Sequence, residues 1–316
     1  MSTPAIDTAR TSERLSFFLS KIIEKEPIDQ IFTEYPILDH FWESKEVDSY
    51  GRQVRINLDT ALAPNFQWFS SGSTFTTTLP NVVRTAVFPM VNAGITVNID
   101  WEEMMEASTS DVRCYDIAAQ RKKSAQNTIR DNLNRTILAT GNASDRIIGI
   151  PDLVDATSTI GGLNRSTETY WQAQVTSSIG AFTSNGLTNM RSGYNLVTQT
   201  GAGSPTIGIT TRAIHEAFEA EVDPDVRYSD SKKLSRGALQ LFWKGFPLHF
   251  DQDMTTGEMY FLNNKNMKML VESKANMVVD PFREPVNQKQ MTGKILLRCA
   301  MIVTSPRGLW KGTGIT

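Results

Sequence analysis

Between Ser110 and Gly141 the chain keeps one helical register without a break, and few folds can house a rod of that length. Tyr115, Ala118, Ala125, Ile129, Leu133 and Ile137 recur at the spacing that stacks side chains on one helix face. Ser110-Asp111 offers a cap at the start and Gly141 a stop at the end. The run predicts a helix over residues 110–140, roughly 30 residues long and, at about 1.5 Å per residue, roughly 45 Å from end to end. It reads as a spine running the length of a domain.

Upstream of the spine the pattern is extended. Val54, Ile56 and Leu58 alternate with Arg55, Asn57 and Asp59, the signature of a half-solvated strand. Val82–Phe88 and Ile95–Ile99 supply further strands. Between them, Asn65–Leu79 is crowded with aromatics, threonines and turn residues. Together these predict a long two-stranded ribbon that leaves a body and rejoins it. Such a ribbon is marginal in water by itself, so it needs a cover, either another subunit or the chain's own arm. Phe66, Trp68, Phe69 and Phe75 are the ribbon's candidate contacts between subunits, and Arg55, on the polar face, is a candidate for an ion pair across that boundary.

The first 46 residues read as an arm. Leu15, Phe18, Leu19 and Ile22 make an amphipathic helix that stops before Pro27. From there to about residue 46, Phe32, Tyr35, Phe41 and Trp42 stand among two prolines with no sustained period, which predicts an extended segment that docks by aromatic anchors. Phe41 and Trp42 join the candidate contacts. Met1–Arg14 carries Asp7, Arg10, Glu13 and Arg14 and reads as neither a secretory signal nor a lipidation site. The longest apolar run, Ile295–Val303, is far short of the roughly 20 residues that span a bilayer. A soluble protein made inside a cell, with no membrane partner, is the expectation.

Beyond Gly141 short elements alternate. A helix carries Leu187, Met190, Tyr194 and Val197; Thr206–Thr210 is a buried strand, Thr211–Glu221 a helix, and Phe246–Phe250 and Met259–Leu262 are strands across a turn-rich loop. Ile295–Thr304 has no local partner, so it should return to the sheet beside the spine and make the first domain discontinuous.

Composition narrows the function classes. In 316 residues, 32 lysines and arginines nearly balance 34 acids, so the net charge of -2 excludes tight, charge-driven gripping of nucleic acid. Cys114 and Cys299 read as buried thiols, with no disulfide expected. The three histidines, His40, His215 and His249, lie in separate segments without metal-ligand spacing, although His215 and Glu219 are one helical turn apart. Glu102-Glu103 opens a helix, where the dipole favours acids, and Asp152/Asp155, Asp223/Asp225 and Asp251/Asp253 sit among turn residues. Gly201-Ala-Gly-Ser lacks the lysine of a phosphate loop and precedes a strand, and no nucleophile elbow is present. Arg121-Lys122-Lys123 reads as a solvated helix face. No catalytic, cofactor or metal residue is assigned.

Several segments, in order, resemble the major capsid proteins of tailed bacteriophages. They are Asn65-Phe66-Gln67-Trp68 in the ribbon, Ile148–Thr157, Gly161-Gly162, Asn164–Thr167 with Tyr170-Trp171, Gly257–Asn263 and the final strand. The resemblance implies an α+β Hong Kong 97-like fold. Its parts would be an N-terminal arm (1–46), an extended loop (47–90), a peripheral domain (91–141 and 285–316) holding the spine, and an axial domain (142–284). It further implies a virion protein, assembled in the host cytoplasm into hexamers and pentamers around double-stranded DNA. A scaffolding protein, a portal and a decoration protein would be partners, with the scaffold a separate chain. Two other readings remain at this point: an encapsulin-like cargo shell, and a hydrolase or carbohydrate-binding protein with a ribbon appendage, the latter using Trp68, Trp171 and Trp243 as stacking platforms.

Overall fold

A computed structural model describes residues 35–60, 66–74, 82–100, 102, 111–141, 145–221, 241–283 and 288–316, without the side chains of 111–118, 281 and 282. The amphipathic helix expected near residues 11–25, Phe32, Phe75 and the Asp223/Asp225 pair lie outside these residues. Residues 35–316 pack as one unit.

The segment expected to be extended before residue 46 is in part a helix, Pro36–Glu43. Proline at the first helical position needs no N–H partner there and fixes a helical φ. Ile37, Leu38 and Phe41 turn one face into the core, where Phe41 is fully buried. Eight residues with two apolar neighbours at the start give too short a period to be read along the chain, which is why the sequence looked aperiodic.

Next come β1 (Glu46–Asp48), β2 (Gln53–Asp59), β3 (Val83–Pro89) and β4 (Val91–Asp100), then the long helix, Asp111–Leu138. Ala125, Ile129, Leu133 and Ile137 are all buried, as their four-residue spacing requires. β5 (Thr159–Ile160) and β6 (Leu163–Asn164) form a minimal hairpin, and β7 (Gln174–Thr176) follows. Helix Leu187–Gln199, β8 (Ile207–Thr210) and helix Arg212–Glu221 lead to β9 (Leu241–Trp243), β10 (Phe246–Phe250), β11 (Met259–Leu262), β12 (Met267–Glu272), β13 (Val278–Arg283), β14 (Gln290–Val303) and β15 (Trp310–Gly312).

Two larger sheets organise the body. In the first, β14 is central: β4 runs antiparallel along one edge, and β12 and β13 share the other, with β1 beyond β12. The return of the last long strand to the sheet beside the helix is therefore realised. β14 alternates while one face is solvated, with Ile295 and Leu297 inward and Lys294 and Leu296 outward, then turns wholly apolar from Cys299 to Val303, where both faces are covered.

The second sheet has the order β7-β15-β11-β8-β10-β9. Every residue of β8 and β11 is buried. One face, with Ile207, Ile209, Tyr260 and Leu262, joins the core under the long helix; the other, with Phe246, Leu248, Phe261 and Trp310, packs against the two shorter helices. Helix Leu187–Gln199 comes so close that a Cβ on Gly193 would sit 2.4 Å from the Trp310 indole. Strand membership redraws the boundaries expected from the sequence. β12 and β13, assigned to residues 142–284, belong to the first sheet, while β15, assigned to 285–316, completes the second. Pairing partners distant in sequence decide this, and no local pattern encodes them.

Candidate assembly surface

Among the described residues β2 and β3 pair only with each other, from Gln53 opposite Pro89 to Asp59 opposite Val83. Their core-facing side chains fade out along the ribbon. Phe88 and Ala86 are fully buried, whereas Thr85, Arg84 and Val83 are exposed. The ribbon therefore leaves the body at Ala86. Arg55 lies exposed on its polar face, opposite Val87.

Past the strands, residues 66–74 make a turn stapled by the Gln67 side-chain amide, which donates to the Thr74 carbonyl at 2.8 Å, and by Ser73 N–H donating to Ser70 O at 3.0 Å. Phe66, Trp68 and Phe69 are 77%, 91% and 67% exposed, and Phe66 and Trp68 meet edge to face at 5.5 Å. Three large aromatic side chains exposed on one turn form an apolar surface among the described residues. Of the two arm candidates, Phe41 is in its own core and offers a neighbour no side-chain surface. Trp42 is half-buried, with the Lys45 ammonium 4.4 Å over its ring.

The ribbon rests on a compact loop. Arg165, fully buried, donates through Nε to the Trp171 carbonyl at 3.0 Å, through Nη1 to the Asp152 carbonyl at 2.8 Å and through Nη2 to the Leu153 carbonyl at 2.6 Å. Burial lowers its pKa to about 10, against the pull of Asp155 and Asp152. The Trp171 indole donates to the Ile160 carbonyl at 3.1 Å. Burial works to raise the Asp155 pKa, but N–H and hydroxyl donors of Ser158, with the N–H groups of Ala156 and Thr157, outweigh it and hold the carboxylate low. The residues at 152–171 were legible as a segment with turn chemistry; that Arg165 is its centre was not, because an arginine between Asn164 and Ser166 looks solvated.

The remaining candidates take structural places. Asp152 accepts from the Gly141 N–H at 2.7 Å and closes the end of the long helix. Asp251 and Asp253 both accept from Asn134 Nδ2, at 3.2 and 3.0 Å for their nearest oxygens, which joins the long helix to the loop after β10. Burial raises the Asp251 pKa. Just before β11, Glu258 accepts from Tyr260 Oη at 2.5 Å and from Lys311 Nζ of β15 at 2.9 Å. His40, His215 and His249 are brought closer than the sequence suggests, and burial holds all three below the ordinary histidine pKa; His40 and His215 add repulsion at His249. The His215 ring packs on Phe250 at 5.1 Å. Among the described residues, no group of three His, Cys, Asp or Glu side chains is placed to hold a metal. Trp171 is buried and Trp243 packs on Phe218 at 5.8 Å, so neither is a stacking platform. Arg121 donates to the Asn98 carbonyl at 3.0 Å, tying the basic run to β4. Among the described residues no helix is long and apolar enough to cross a membrane.

Neither a protein-family model nor a curated protein sequence matches the chain. Solved structures do, nearly end to end. The cyanophage A-1(L) capsid subunit superposes with a TM-score of 0.67 at 12% identity, covering 96% of this chain and 99% of that one. The capsid of the native GTA particle gives 0.63 at 11% identity, with 95% and 96% covered. The holo-SrpI encapsulin from Synechococcus elongatus gives 0.58 at 10% identity, with 100% and 96% covered. The fold is thus the one these capsid and encapsulin chains share. More narrowly, the chain has the Hong Kong 97-type major capsid fold, α+β, as its ordered segments implied.

Proposed function

We propose that this chain is the major capsid protein of a tailed phage, a non-catalytic subunit that assembles into hexamers and pentamers of an icosahedral head around double-stranded DNA. The observation that carries this reading is the ribbon with its exposed aromatic turn: Phe66 and Trp68 present most of their apolar surface on the turn that joins the two strands. A hairpin of that kind is marginal alone, and covering its aromatic end with a second copy would gain roughly 25 cal/mol for each Å² of apolar surface removed from water. The end-to-end match to capsid subunits supports the same reading.

The near-neutral charge suits loose, sequence-independent contact with packaged DNA. A scaffolding protein, a portal and a decoration protein complete the proposed partners, and the virion is the proposed location, reached from the host cytoplasm. The encapsulin match keeps one rival, a cellular cargo shell built on the same fold.

Negative-stain microscopy and sedimentation of the protein, expressed alone and with its genomic neighbours, test the proposal. Closed icosahedral particles are expected, and nuclease-protected DNA inside them separates a phage head from a cargo shell. A compact monomer under every condition would overturn both.

A further inference from the structure

The ribbon meets the Arg165 loop where it departs from the body. Val87 N–H, on the edge of β3 away from β2, donates to the Gly161 carbonyl at 3.0 Å. Gly161, at φ +64°, lies against the same stretch: a Cβ there would stand 3.0 Å from the Ala86 Cβ and 3.4 Å from the Phe88 ring. Ala86 and Phe88 are the last buried residues before the exposed part of β3. Behind Gly161 the hairpin cannot easily shift. The Ile160 carbonyl is held by the Trp171 indole, the Trp171 carbonyl by Arg165, and the remaining Arg165 donors reach back to the carbonyls of Asp152 and Leu153.

We propose that Gly161, held by the Arg165 loop, is a positioning residue that sets the angle at which the ribbon leaves the subunit and so selects which neighbour geometry the ribbon end can reach. A ribbon of seven-residue strands is a lever. A shift of a few tenths of an ångström at its base is enlarged at Trp68. Arg165 acts through three carbonyls in a fixed planar fork, an arrangement that a lysine ammonium cannot reproduce.

The test exploits two adjacent glycines. Gly161 and Gly162 both have positive φ, +64° and +81°, so alanine strains the turn at either; only at Gly161 does the new Cβ meet the ribbon, and at Gly162 it finds nothing within 4 Å. Hydrogen exchange at the Val87 amide reads the anchor directly, whether or not the chain forms shells. Gly161→Ala should raise the Val87 exchange rate at least tenfold and Gly162→Ala should not. Adding Ala86→Gly to Gly161→Ala, which removes the opposing methyl, should restore protection; this double variant decides the matter if the single one fails to fold.

The assembly readout rests on the shell reading. Gly161→Ala should lower the yield of closed particles or change their diameter in cryo-electron microscopy, with Gly162→Ala matching the wild type. Equal effects of the two alanines, or unchanged Val87 exchange in Gly161→Ala, would overturn the proposal. A wild-type chain that never assembles would instead remove the shell reading, and the exchange experiment would still decide whether the anchor exists.

Discussion

Asn134 of the long helix and Asp251 of the loop after β10 meet in the interior: Asn134 Nδ2 lies 3.3 and 3.2 Å from the two Asp251 carboxylate oxygens. Both residues are buried, and 117 positions separate them. Asp253 accepts from the same nitrogen, and Arg135 stands 3.7 Å from Asp253 and 3.2 Å from Asp131, which itself accepts from Tyr35 Oη at 3.0 Å. One amide thus joins the long helix to the second sheet.

Replacing Asn134 by alanine leaves the Asp251 carboxylate buried without its side-chain donor. The expected cost is about 2–3 kcal/mol, the size for a hydrogen bond to a buried charge, measured by denaturant unfolding at pH 7. The sign of the pH dependence follows from the raised Asp251 pKa. A carboxyl whose pKa is higher folded than unfolded contributes stability that is full below the unfolded value and lost as pH rises through the folded value. Part of the deficit should therefore be recovered on acidification into that window; a deficit independent of pH would argue that Asp251 is not its source.

Trp68 is the most exposed large apolar side chain described. Trp68→Ala should change the unfolding free energy by no more than about 0.5 kcal/mol, the usual bound for an exposed site, while sharply reducing the yield of assembled particles. Thermal melts beside sedimentation check both halves. Equal loss of folding and assembly would place the indole in its own chain's core.

Histidine protonation opposes the fold. His40, His215 and His249 have folded pKa values below 6.5, chiefly through burial. As pH falls below about 6.5 the unfolded chain takes up protons first, so stability should be greater above that value and decline through the window down to the folded pKa values. Denaturant midpoints at pH 7.5 and pH 5.5 measure this, and His249→Gln should flatten the slope because it removes the group that both other histidines repel.

Arg165→Met keeps an unbranched chain but orphans three carbonyls, those of Trp171 and Leu153 in buried contacts. A loss of about 3–5 kcal/mol is expected from acceptors left unpaired at roughly 1–3 kcal/mol each, and Arg165→Lys should recover little of it. Differential scanning calorimetry of the three proteins ranks them; a lysine variant as stable as wild type would show that charge alone, without the planar fork, holds the loop.

Much of this fold was legible from periodicity. The long helix announced itself by Ala125, Ile129, Leu133 and Ile137, the ribbon by alternation around Arg55, and the last strand by an apolar run without a local partner. In each case the side chain's own neighbours in sequence carry the signal, because a helix or strand repeats its environment every 3.6 or 2 residues. The aromatics of the ribbon turn stood out in the sequence as candidate contacts, and Phe66, Trp68 and Phe69 are exposed in the fold, because aromatics crowded among turn residues are hard to bury locally.

What only the tertiary structure decided are pairings across long separations. Phe41 and Trp42 looked alike on the chain, yet a turn of helix sends one into the core and leaves the other at its rim. β12 and β15 changed sheets because register with β14 and β11, not local pattern, assigns a strand to a partner. Asn134 carried no sequence signal, and Gly161 and Arg165 were read only as parts of turn-bearing segments. Their roles depend on carbonyls, carboxylates and methyl groups brought within hydrogen-bond or van der Waals distance from elsewhere in the chain, and those interactions exist only after it has folded.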